Sequence, residues 1–261
     1  MKCMELRKYF RAAKLGLRRL QAFGIDAVQP EIVAIIPHDR NAFTQGVFLH
    51  EGKLYESAGL EGKSSLRVVE ASTGAVERVV PVQDVFAEGI AMLDNRVYLL
   101  TWKSKVVLIY DYPDLALAGT LPYNRQGWGL TSDGSCLIVS NGSSVVEFRD
   151  AQFKLLNTVP ITMNGVPLNL VNDMAYHRGR LYFNVYRHSR IYEADVETGR
   201  VIRLFDLEEI AKDELSNLAP IPFDLARDTV MLNGIAIDEQ TGLACVTGKF
   251  WSRYYWFRVD P

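Results

Sequence analysis

A short pattern that occurs five times constrains the fold of this chain more than any other feature of its sequence. Each copy opens on a polar or aromatic residue and continues through a small or apolar strand, a tight turn and a second strand. Repeats of about 40 residues built from such strands are typical of β-propeller blades. At intervals of 43, 40, 44 and 61 residues, the copies open at Gln45, Glu88, Trp128, Asn172 and Asn233. We therefore predict an all-β fold, a five-bladed β-propeller.

The residue that closes each copy ends the second strand of a hairpin. It should therefore lie at the same end of the blade as the residue that opens the copy. The closing residues are Glu56, Trp102, Asn141, Tyr186 and Lys249. Ten side chains are thereby predicted to surround one mouth of the central channel, and none of them is a plain aliphatic. This unusual composition makes the mouth the first candidate for a functional site.

The fifth copy is incomplete, because residues 233–261 have room for about three strands of ordinary length. Residues 31–36 form a short apolar run that precedes the first copy. A propeller closes its ring without a free edge, so this run is predicted to pair with residues 253–259 as the missing outer strand. The long fourth interval is predicted to insert a short helix and a loop between Asp206 and Asp228.

The first 20 residues differ in charge from the rest of the chain. They carry seven basic residues against Glu5 alone, a balance of +6 in a chain whose net charge is −2. Their apolar residues recur at intervals of three and four, which predicts a basic amphipathic helix. A solvated extension, a membrane-surface anchor and a targeting peptide are all compatible with this pattern. We assign residues 1–29 to an N-terminal extension and residues 30–261 to the propeller domain.

The remaining composition narrows the classes of function. The chain contains no uninterrupted apolar run of about 18 residues, which argues against a transmembrane helix. Beyond residue 20 it has no basic patch interleaved with aromatic residues, which argues against nucleic acid as a partner. Cys3, Cys136 and Cys245 have neither disulfide nor metal-ligand spacing, and they are interpreted as small apolar residues.

A series of short motifs follows the repeats in a fixed order. They are His38-Asp39, AFTQG at 42–46, LYES at 54–57, GKSSLR at 62–67, EGI at 88–90, LTW at 100–102, GWGL at 127–130, NGIA at 233–236 and TGK at 247–249. From about Glu31 to the C-terminus, this series resembles the plant and bacterial type of glutaminyl cyclase, also called glutamine cyclotransferase.

The resemblance implies an enzyme that converts the N-terminal glutaminyl residue of a peptide or protein to pyroglutamate and releases ammonia. It implies no catalytic zinc and no other cofactor, and we expect a monomer. It also suggests a secreted or periplasmic protein, whereas the sequence as given fits a cytoplasmic or membrane-peripheral one.

The reaction explains which residues such a site needs. The α-amine must attack the side-chain amide and lose a proton, and the departing nitrogen must gain one, so one carboxyl group can act first as base and then as acid. Glu88 is the candidate, because apolar neighbours could raise its pKa by desolvation. Lys249 or Asn172 is expected to stabilise the oxyanion. The residues expected to bind the substrate are Phe43, Gln45, Trp102, Trp128, Tyr186 and Asn233.

The chain departs from the pattern of the resembling family at several positions. Tyr186 replaces an expected tryptophan, Gln126 an expected acid and Asn141 an expected aspartate, and the acidic pair after Asn172 is reduced to Asp173 and Ala175. Tyrosine keeps an aromatic wall, but the lost carboxylates change the charge of the site. These departures bear on substrate range and turnover.

Two other classes of function remain open. Glu88, Asn172 and Asn233 could hold a divalent cation, as in lactonase-like hydrolases, although only one of them is anionic. The propeller could also be a binding module that kept the pocket and lost the chemistry. At the level of single residues, Glu88 and Lys249 could form a structural ion pair, and the tryptophans could be packing residues of the blades. The four histidines, His38, His50, His177 and His188, lack metal-ligand spacing, and His38-Asp39 is expected to organise the loop before Phe43.

Overall fold

Five sheets, antiparallel apart from one added strand in blade 4, are arranged as blades around a central channel in the computed structural model, which describes residues 25–218, 220, 225 and 229–260. Blade 1 consists of β3 Thr44–His50, β4 Lys53–Ala58, β5 Ser65–Glu70 and β6 Val76–Pro81. Blade 2 consists of β7 Ala87–Leu93, β8 Arg96–Thr101, β9 Val106–Asp111 and β10 Ala116–Pro122. Blade 3 consists of β11 Leu130–Ser132, β12 Leu137–Val139, β13 Val145–Arg149 and β14 Leu155–Pro160. The basic amphipathic helix predicted within residues 1–20 lies outside the described residues.

The last two blades use strands from distant parts of the chain. Blade 4 consists of β17 Val171–His177, β18 Arg180–Val185, β19 Arg190–Asp195, β20 Val201–Asp206 and the added strand β1 Asp26–Val28. Blade 5 consists of β21 Leu232–Asp238, β22 Leu243–Gly248, β23 Arg253–Arg258 and β2 Ile32–Pro37. A small hairpin, β15 Thr162–Met163 with β16 Val166–Pro167, lies in the connection from blade 3 to blade 4.

The first strands of the five blades form a closed ring. Strand β3 contacts β7 and β21, β11 contacts β7 and β17, and β17 contacts β21. These strands are buried on both faces, which explains their nearly continuous small or apolar sequences. The outermost strands are largely exposed, as β6 illustrates. The predicted five-bladed propeller is confirmed.

The ring closes where the two ends of the propeller domain pair. Strand β2 runs antiparallel to β23, with Ile32 opposite Phe257 and Pro37 opposite Arg253. Blade 5 thus combines three C-terminal strands with one N-terminal strand, as predicted from the incomplete fifth copy. Because β2 hydrogen-bonds to β23, the inner strands of blade 5 are covered and the ring has no gap at this point.

Strand β1 was not anticipated. It pairs in parallel with the outer strand β20, with Ala27 opposite Leu204. Ile25 and Ala27 are buried in an apolar cluster that includes Phe183 and Tyr192. This part of the segment 1–29 therefore packs on the edge of blade 4.

The predicted insertion is present between blades 4 and 5. Its helix α1 spans Glu208–Ser216, and Asp206 accepts a hydrogen bond from the Glu208 N–H in the first turn. The buried carboxylate of Glu214 accepts hydrogen bonds from the backbone N–H of Ser252 and the hydroxyl of Tyr255, so the helix is anchored to blade 5. No helix within the described ranges is long and apolar enough to cross a membrane.

Candidate active site

Eight of the ten predicted rim residues come together at one end of the channel, which we call the mouth. The first strand of each blade begins there and the second strand ends there. The eight residues are Gln45, Glu88, Trp102, Trp128, Asn172, Tyr186, Asn233 and Lys249. The other two, Glu56 and Asn141, make their contacts elsewhere.

Aromatic rings and one ammonium group form a continuous chain of contacts along the mouth. The Trp102 ring lies 5.6 Å from that of Phe86, which lies 6.1 Å from that of Phe43. The Lys249 Nζ lies 4.6 Å from the centre of the Phe43 ring and 5.8 Å from that of Tyr186. The Tyr186 ring then meets Trp128 edge-on at 5.7 Å. We call Trp102, Trp128 and Tyr186 the aromatic wall.

Two aromatic residues at the mouth, Phe86 and Phe250, were not predicted as site residues from the sequence. Phe250 packs against Phe43 at 5.2 Å. Phe86 precedes Glu88 by two positions, as Phe43 precedes Gln45. Comparing equivalent positions of the repeats would therefore have identified Phe86. Phe250 has no such signal, because it lies in a turn with φ of 61° that only the folded chain brings over Phe43.

An amide network ties three blades together beneath the mouth. The Asn172 Nδ2 donates to the Asn233 Oδ1 at 2.6 Å, and Asn184 donates to the same oxygen at 3.2 Å. The Asn233 Nδ2 donates to the backbone carbonyls of Thr44 and Gln45, both at 2.9 Å. Asn233 is completely buried, and both ends of its amide are engaged by protein groups. The network thus fixes Asn172 and leaves its Oδ1 and one N–H for other contacts.

Three charged side chains are buried together near this network. Glu88 is 7% exposed, Lys249 6% and Asp173 0%. The pKa of Glu88 is raised to about 8, mainly by burial and in smaller part by Asp173, in spite of the Lys249 charge. Burial likewise lowers the pKa of Lys249 to about 8, against the attraction of Glu88 and Asp173. A carboxyl group and an amine are therefore both poised to exchange protons near neutral pH.

Asp173 occupies a position that is glycine in the other four copies of the repeat. Those glycines are Gly46, Gly89, Gly129 and Gly234. A Cβ atom on Gly46 would lie 3.2 Å from the Asp173 Oδ1, so the missing side chain leaves room for this carboxyl group. Its Oδ2 accepts the Ile235 N–H at 2.9 Å, whereas Oδ1 has no hydrogen-bond partner among the described residues. Burial raises the pKa of Asp173 well above its usual value.

Glu56 belongs to a separate cluster between blades 1 and 5, which corrects its predicted place on the mouth. Its carboxylate accepts hydrogen bonds from His38 at 2.9 Å, Thr44 at 2.5 Å and Tyr254 at 3.3 Å. The Arg67 Nε lies 3.9 Å away. Burial opposes ionisation of Glu56, but the charges of His38 and Arg67 outweigh it and hold its pKa below the usual value.

The same cluster fixes the loop before Phe43, as predicted for His38-Asp39. The His38 Nδ1 donates to the backbone carbonyl of Trp251 at 2.7 Å. Asp39 pairs with Arg67 and accepts the Asn41 N–H at 2.9 Å. This polar cluster thereby links blade 1 to the end of β2, to strand β23 and to the loop that follows Lys249.

The family departures have distinct structural consequences. Gln126 accepts a hydrogen bond from the Trp102 Nε1 at 3.1 Å, so it supplies an acceptor without a charge. Asn141 donates to the Glu147 Oε1 at 3.3 Å, so its amide is engaged by the third strand of blade 3. Ala175 is a buried residue of the apolar core. Tyr186 keeps its ring in the aromatic wall.

Other predicted features lie away from the mouth. Cys136 and Cys245 are free and buried, as predicted. Within the described residues, no three His, Cys, Asp or Glu side chains are grouped so that they could hold a metal ion. A depression of about 590 Å³ at the opposite end of the channel is lined by none of the eight mouth residues.

Comparisons with known proteins place these features in context. A protein-family model described as glutamine cyclotransferase matches residues 11–259. A glutaminyl-peptide cyclotransferase of Arabidopsis thaliana is 31% identical over 234 residues, which cover 88% of this chain and 71% of that protein. The crystal structure of the Myxococcus xanthus glutaminyl cyclase is similar with a TM-score of 0.81 at 28% identity, covering 90% of this chain and 97% of that one. Both similarities extend over nearly the whole propeller.

Proposed function

The chain belongs to the glutamine cyclotransferase family, and on this basis we propose that it cyclises the N-terminal glutamine of peptides to pyroglutamate. The observation that carries the proposal for the site is Glu88. It is a buried carboxyl group at the mouth of the channel whose pKa burial raises to about 8. A group of this kind can accept and return a proton near neutral pH.

In the proposed reaction, the α-amine nitrogen of the substrate forms a bond to the side-chain amide carbon. Glu88 as carboxylate takes a proton from this nitrogen, and the carbonyl oxygen becomes an oxyanion. Glu88 then returns the proton to the amide nitrogen, the carbon–nitrogen bond breaks, and ammonia leaves. The product is a five-membered lactam, so atoms and charge balance without a further reactant.

Lys249 is proposed to stabilise the oxyanion. Its ammonium group is buried, and it lies 4.6 Å from the centre of the Phe43 ring, which excludes water from one side. A charge in such a site interacts more strongly with a developing oxyanion than it would in water. The substrate amide would therefore lie between Glu88 and Lys249.

The amides of the mouth divide into two roles in this proposal. Asn172 offers its remaining Oδ1 and N–H to the substrate, and the Gln45 side chain lies beside it through the shared partner Asn233. Asn233 itself was expected to bind substrate. Its full burial and its hydrogen bonds to protein support a positioning role instead. Phe43 and the aromatic wall would enclose the glutamine side chain.

Neither of the other two classes of function gains support. The Asn233 Oδ1 already accepts two hydrogen bonds, so it is not available as a ligand for a divalent cation beside Glu88 and Asn172. A structural ion pair is also a poor account of Glu88 and Lys249, because burial shifts the pKa of each toward its neutral form. A stabilising pair shifts both in the opposite direction.

The test is ammonia release from a short peptide with N-terminal glutamine. We expect release of one ammonia per pyroglutamyl peptide formed, as seen by mass spectrometry. The same peptide with an acetylated N-terminus is the control, because it lacks the attacking amine. A folded protein that releases no ammonia from a panel of glutaminyl peptides would contradict the proposal.

A second measurement addresses the metal-dependent alternative. Because Glu88 and Lys249 supply the proposed proton transfer and charge stabilisation, cyclisation should persist after exhaustive dialysis against a chelator. Loss of activity that added zinc restores would favour metal-assisted chemistry instead. Circular dichroism before and after dialysis separates loss of activity from loss of fold.

A further inference from the structure

The rim of the mouth is electrically asymmetric. Blades 2–4 contribute the mouth loops 102–105, 123–129, 140–144, 161–170 and 186–189. These loops contain four cationic side chains and no carboxylate. Three of them, Lys103, Lys105 and Arg125, lie in the loops of blades 2 and 3, and we call these three residues the cationic arc; the fourth is Arg187. The loops on the other half of the rim do contain carboxylates, among them Asp39, Glu61, Asp84 and Asp213, and two of these, Asp39 and Asp213, are paired with arginines.

Lys103 of the cationic arc and the fourth cation, Arg187, lie directly on the aromatic wall. The Lys103 Nζ is 3.8 Å from the centre of the Trp102 ring, and the Arg187 Cζ is 5.5 Å from that of Tyr186. Each cation immediately follows its aromatic residue in the chain, so the pattern repeats in blades 2 and 4. The cationic arc is therefore continuous with the site where the glutamine would be enclosed.

The charge of this arc is poorly compensated within the described part of the chain. Lys103 is exposed and forms no ion pair with a described residue, and the neutral Gln126 is the acceptor beside it. The Arg125 Nε lies 3.3 Å from Glu147, but that carboxylate is shared with Arg149. Among the described residues, the arc thus retains a net positive charge.

The same half of the mouth is the more open one. Phe43 and Phe250 on the opposite side are 8% and 2% exposed, whereas all three residues of the aromatic wall are half-buried. A peptide whose first residue is enclosed at the mouth must continue toward solvent. The exposure of the wall indicates that it continues over blades 2–4, past the cationic arc.

We propose that the cationic arc binds carboxylates in the residues that follow the N-terminal glutamine, so that the enzyme prefers acidic peptides. Successive residues of an extended chain advance by about 3.3–3.6 Å, so the second to fourth residues would cross the arc. This inference rests on the proposed function. It adds a substrate class, glutaminyl peptides with aspartate or glutamate near the N-terminus.

The size of the effect follows from the exposure of the cations. An ion pair at the surface is weak and is screened by salt, so each contact should change kcat/KM by about twofold to fivefold. Several contacts should together give a preference of about tenfold at low ionic strength. The preference should appear in KM, because the arc would contact the residues that follow the glutamine and not the reacting atoms.

The experiment compares three amidated glutaminyl peptides of equal length whose second and third residues are alanine, glutamate or lysine. At low ionic strength we expect kcat/KM to fall from the glutamate to the alanine to the lysine peptide. High ionic strength should bring the three values together. Equal values at low ionic strength, or a preference for the lysine peptide, would overturn the proposal.

Matched charge reversals locate the effect on the protein. Lys103→Glu should abolish the preference for the glutamate peptide, expressed as the ratio of its kcat/KM to that of the alanine peptide, so that any effect of the variant through Trp102 cancels. Lys154→Glu is the control, because this exposed lysine lies in the turn between β13 and β14, at the far end of blade 3. The two variants change the net charge equally, so an equal loss in both would assign the preference to bulk charge and overturn the proposal.

The design also separates this inference from the proposed function. Cyclisation of the alanine peptide tests the function alone, whatever the preference among peptides. If no peptide is cyclised, binding of the same three peptides can be measured from tryptophan fluorescence, since Trp102 and Trp128 line the mouth. Tighter binding of the glutamate peptide, lost in Lys103→Glu, would uphold the cationic arc even then.

Discussion

Glu56 and Glu88 are buried acids that come from the same repeated pattern, yet they lie in opposite electrostatic surroundings. Glu56 accepts hydrogen bonds from His38, Thr44 and Tyr254, and its pKa is held below the usual value. Glu88 has Lys249 as its counter-charge and Asp173 as a like charge, and burial raises its pKa to about 8. Both side chains are almost inaccessible to water, so burial alone cannot account for the contrast.

The number and kind of partners decide the difference. At the closure of the ring, donors converge on one carboxylate, and the cluster links strands and loops from both ends of the chain. At the mouth, the charged groups are desolvated but incompletely paired, which costs stability and shifts their proton affinities toward neutral pH. Strongly shifted proton affinities of this kind cluster at functional sites, and we therefore propose a structural role for Glu56 and a catalytic role for Glu88.

Replacing Glu88 by glutamine tests the proposed catalytic role of this residue. The substitution keeps the size of the side chain and removes the group that titrates. We expect kcat to fall by about 10²- to 10⁴-fold, measured by steady-state kinetics on a glutaminyl peptide. A folded Glu88→Gln protein with nearly normal kcat would refute the proposed mechanism, even though the family would stand.

The stability of the same variant sharpens the contrast. Because the folded-state pKa of Glu88 is raised to about 8, the folded protein holds this proton more tightly than the unfolded chain. Its contribution to stability is therefore present below the unfolded pKa and is lost as the pH rises through 8. Glu88→Gln should be at least as stable as the parent protein at alkaline pH, measured by chemical denaturation.

Replacing Glu56 by glutamine should have the opposite effects: a large loss of stability and little change in kcat. It leaves the charges of His38 and Arg67 without their buried counter-charge, and breaking such a pair costs about 3–5 kcal/mol. We expect a large loss in the free energy of unfolding, with kcat of the folded protein nearly unchanged. A stable Glu56→Gln variant with low kcat would mean that this cluster, too, acts on the chemistry.

The pH dependence of that loss follows from the sign of the shift. The folded-state pKa of Glu56 is lowered, so its stabilisation is present above the unfolded pKa and is lost as the pH falls through the folded pKa. The difference in stability between Glu56→Gln and the parent should therefore be largest near neutral pH and should shrink in acid. Denaturation at two pH values measures it.

The fold was largely predictable from the sequence, because each blade repeats the same strand pattern and the same turns. The incomplete fifth copy even identified β2 as the closing strand, since a propeller edge must be covered. Strand β1 was not predictable, because three residues in parallel pairing leave no periodic signal. Its position depends on the packing of Ile25 and Ala27 against distant residues of blade 4.

The site was predictable in position but not in detail. The repeat register brought eight of the ten proposed residues to the mouth, and it could not distinguish Glu56 from Glu88. That distinction depends on Arg67, which lies opposite Glu56 on the neighbouring strand, and on His38, which approaches from outside the repeat. Neither contact follows from the spacing of the copies. The charge coupling of Asp173 to the site was missed for the same reason.

Replacing Lys249 by methionine tests the cation of the mouth. Methionine keeps the unbranched stem and removes the charge, so kcat should fall by about 100-fold, a loss of about 3 kcal/mol in oxyanion stabilisation. Because Lys249 lowers the pKa of Glu88, the acid limb of the kcat/KM profile should also move to higher pH. A fall in kcat without this movement would indicate that the two groups do not interact.

Asp173 provides the smallest but most specific test. It introduces a carboxyl group at a position where the other four copies have glycine, and its charge acts on both partners at the mouth. The like charge raises the pKa of Glu88, and the opposite charge raises the pKa of Lys249. Removing it should therefore lower both values, whereas a change in burial would move the acid and the amine in opposite directions.

Asp173→Asn should accordingly shift both limbs of the kcat/KM profile to lower pH, each by about one unit or less, which corresponds to at most about 1.4 kcal/mol. The asparagine oxygen can still accept the Ile235 N–H, so the inner strands should keep their packing. Profiles measured on the folded variant against the parent distinguish the outcomes. Limbs that stay in place would show that Asp173 is protonated across this range and has only a structural role, whereas limbs that move apart would assign the shifts to desolvation.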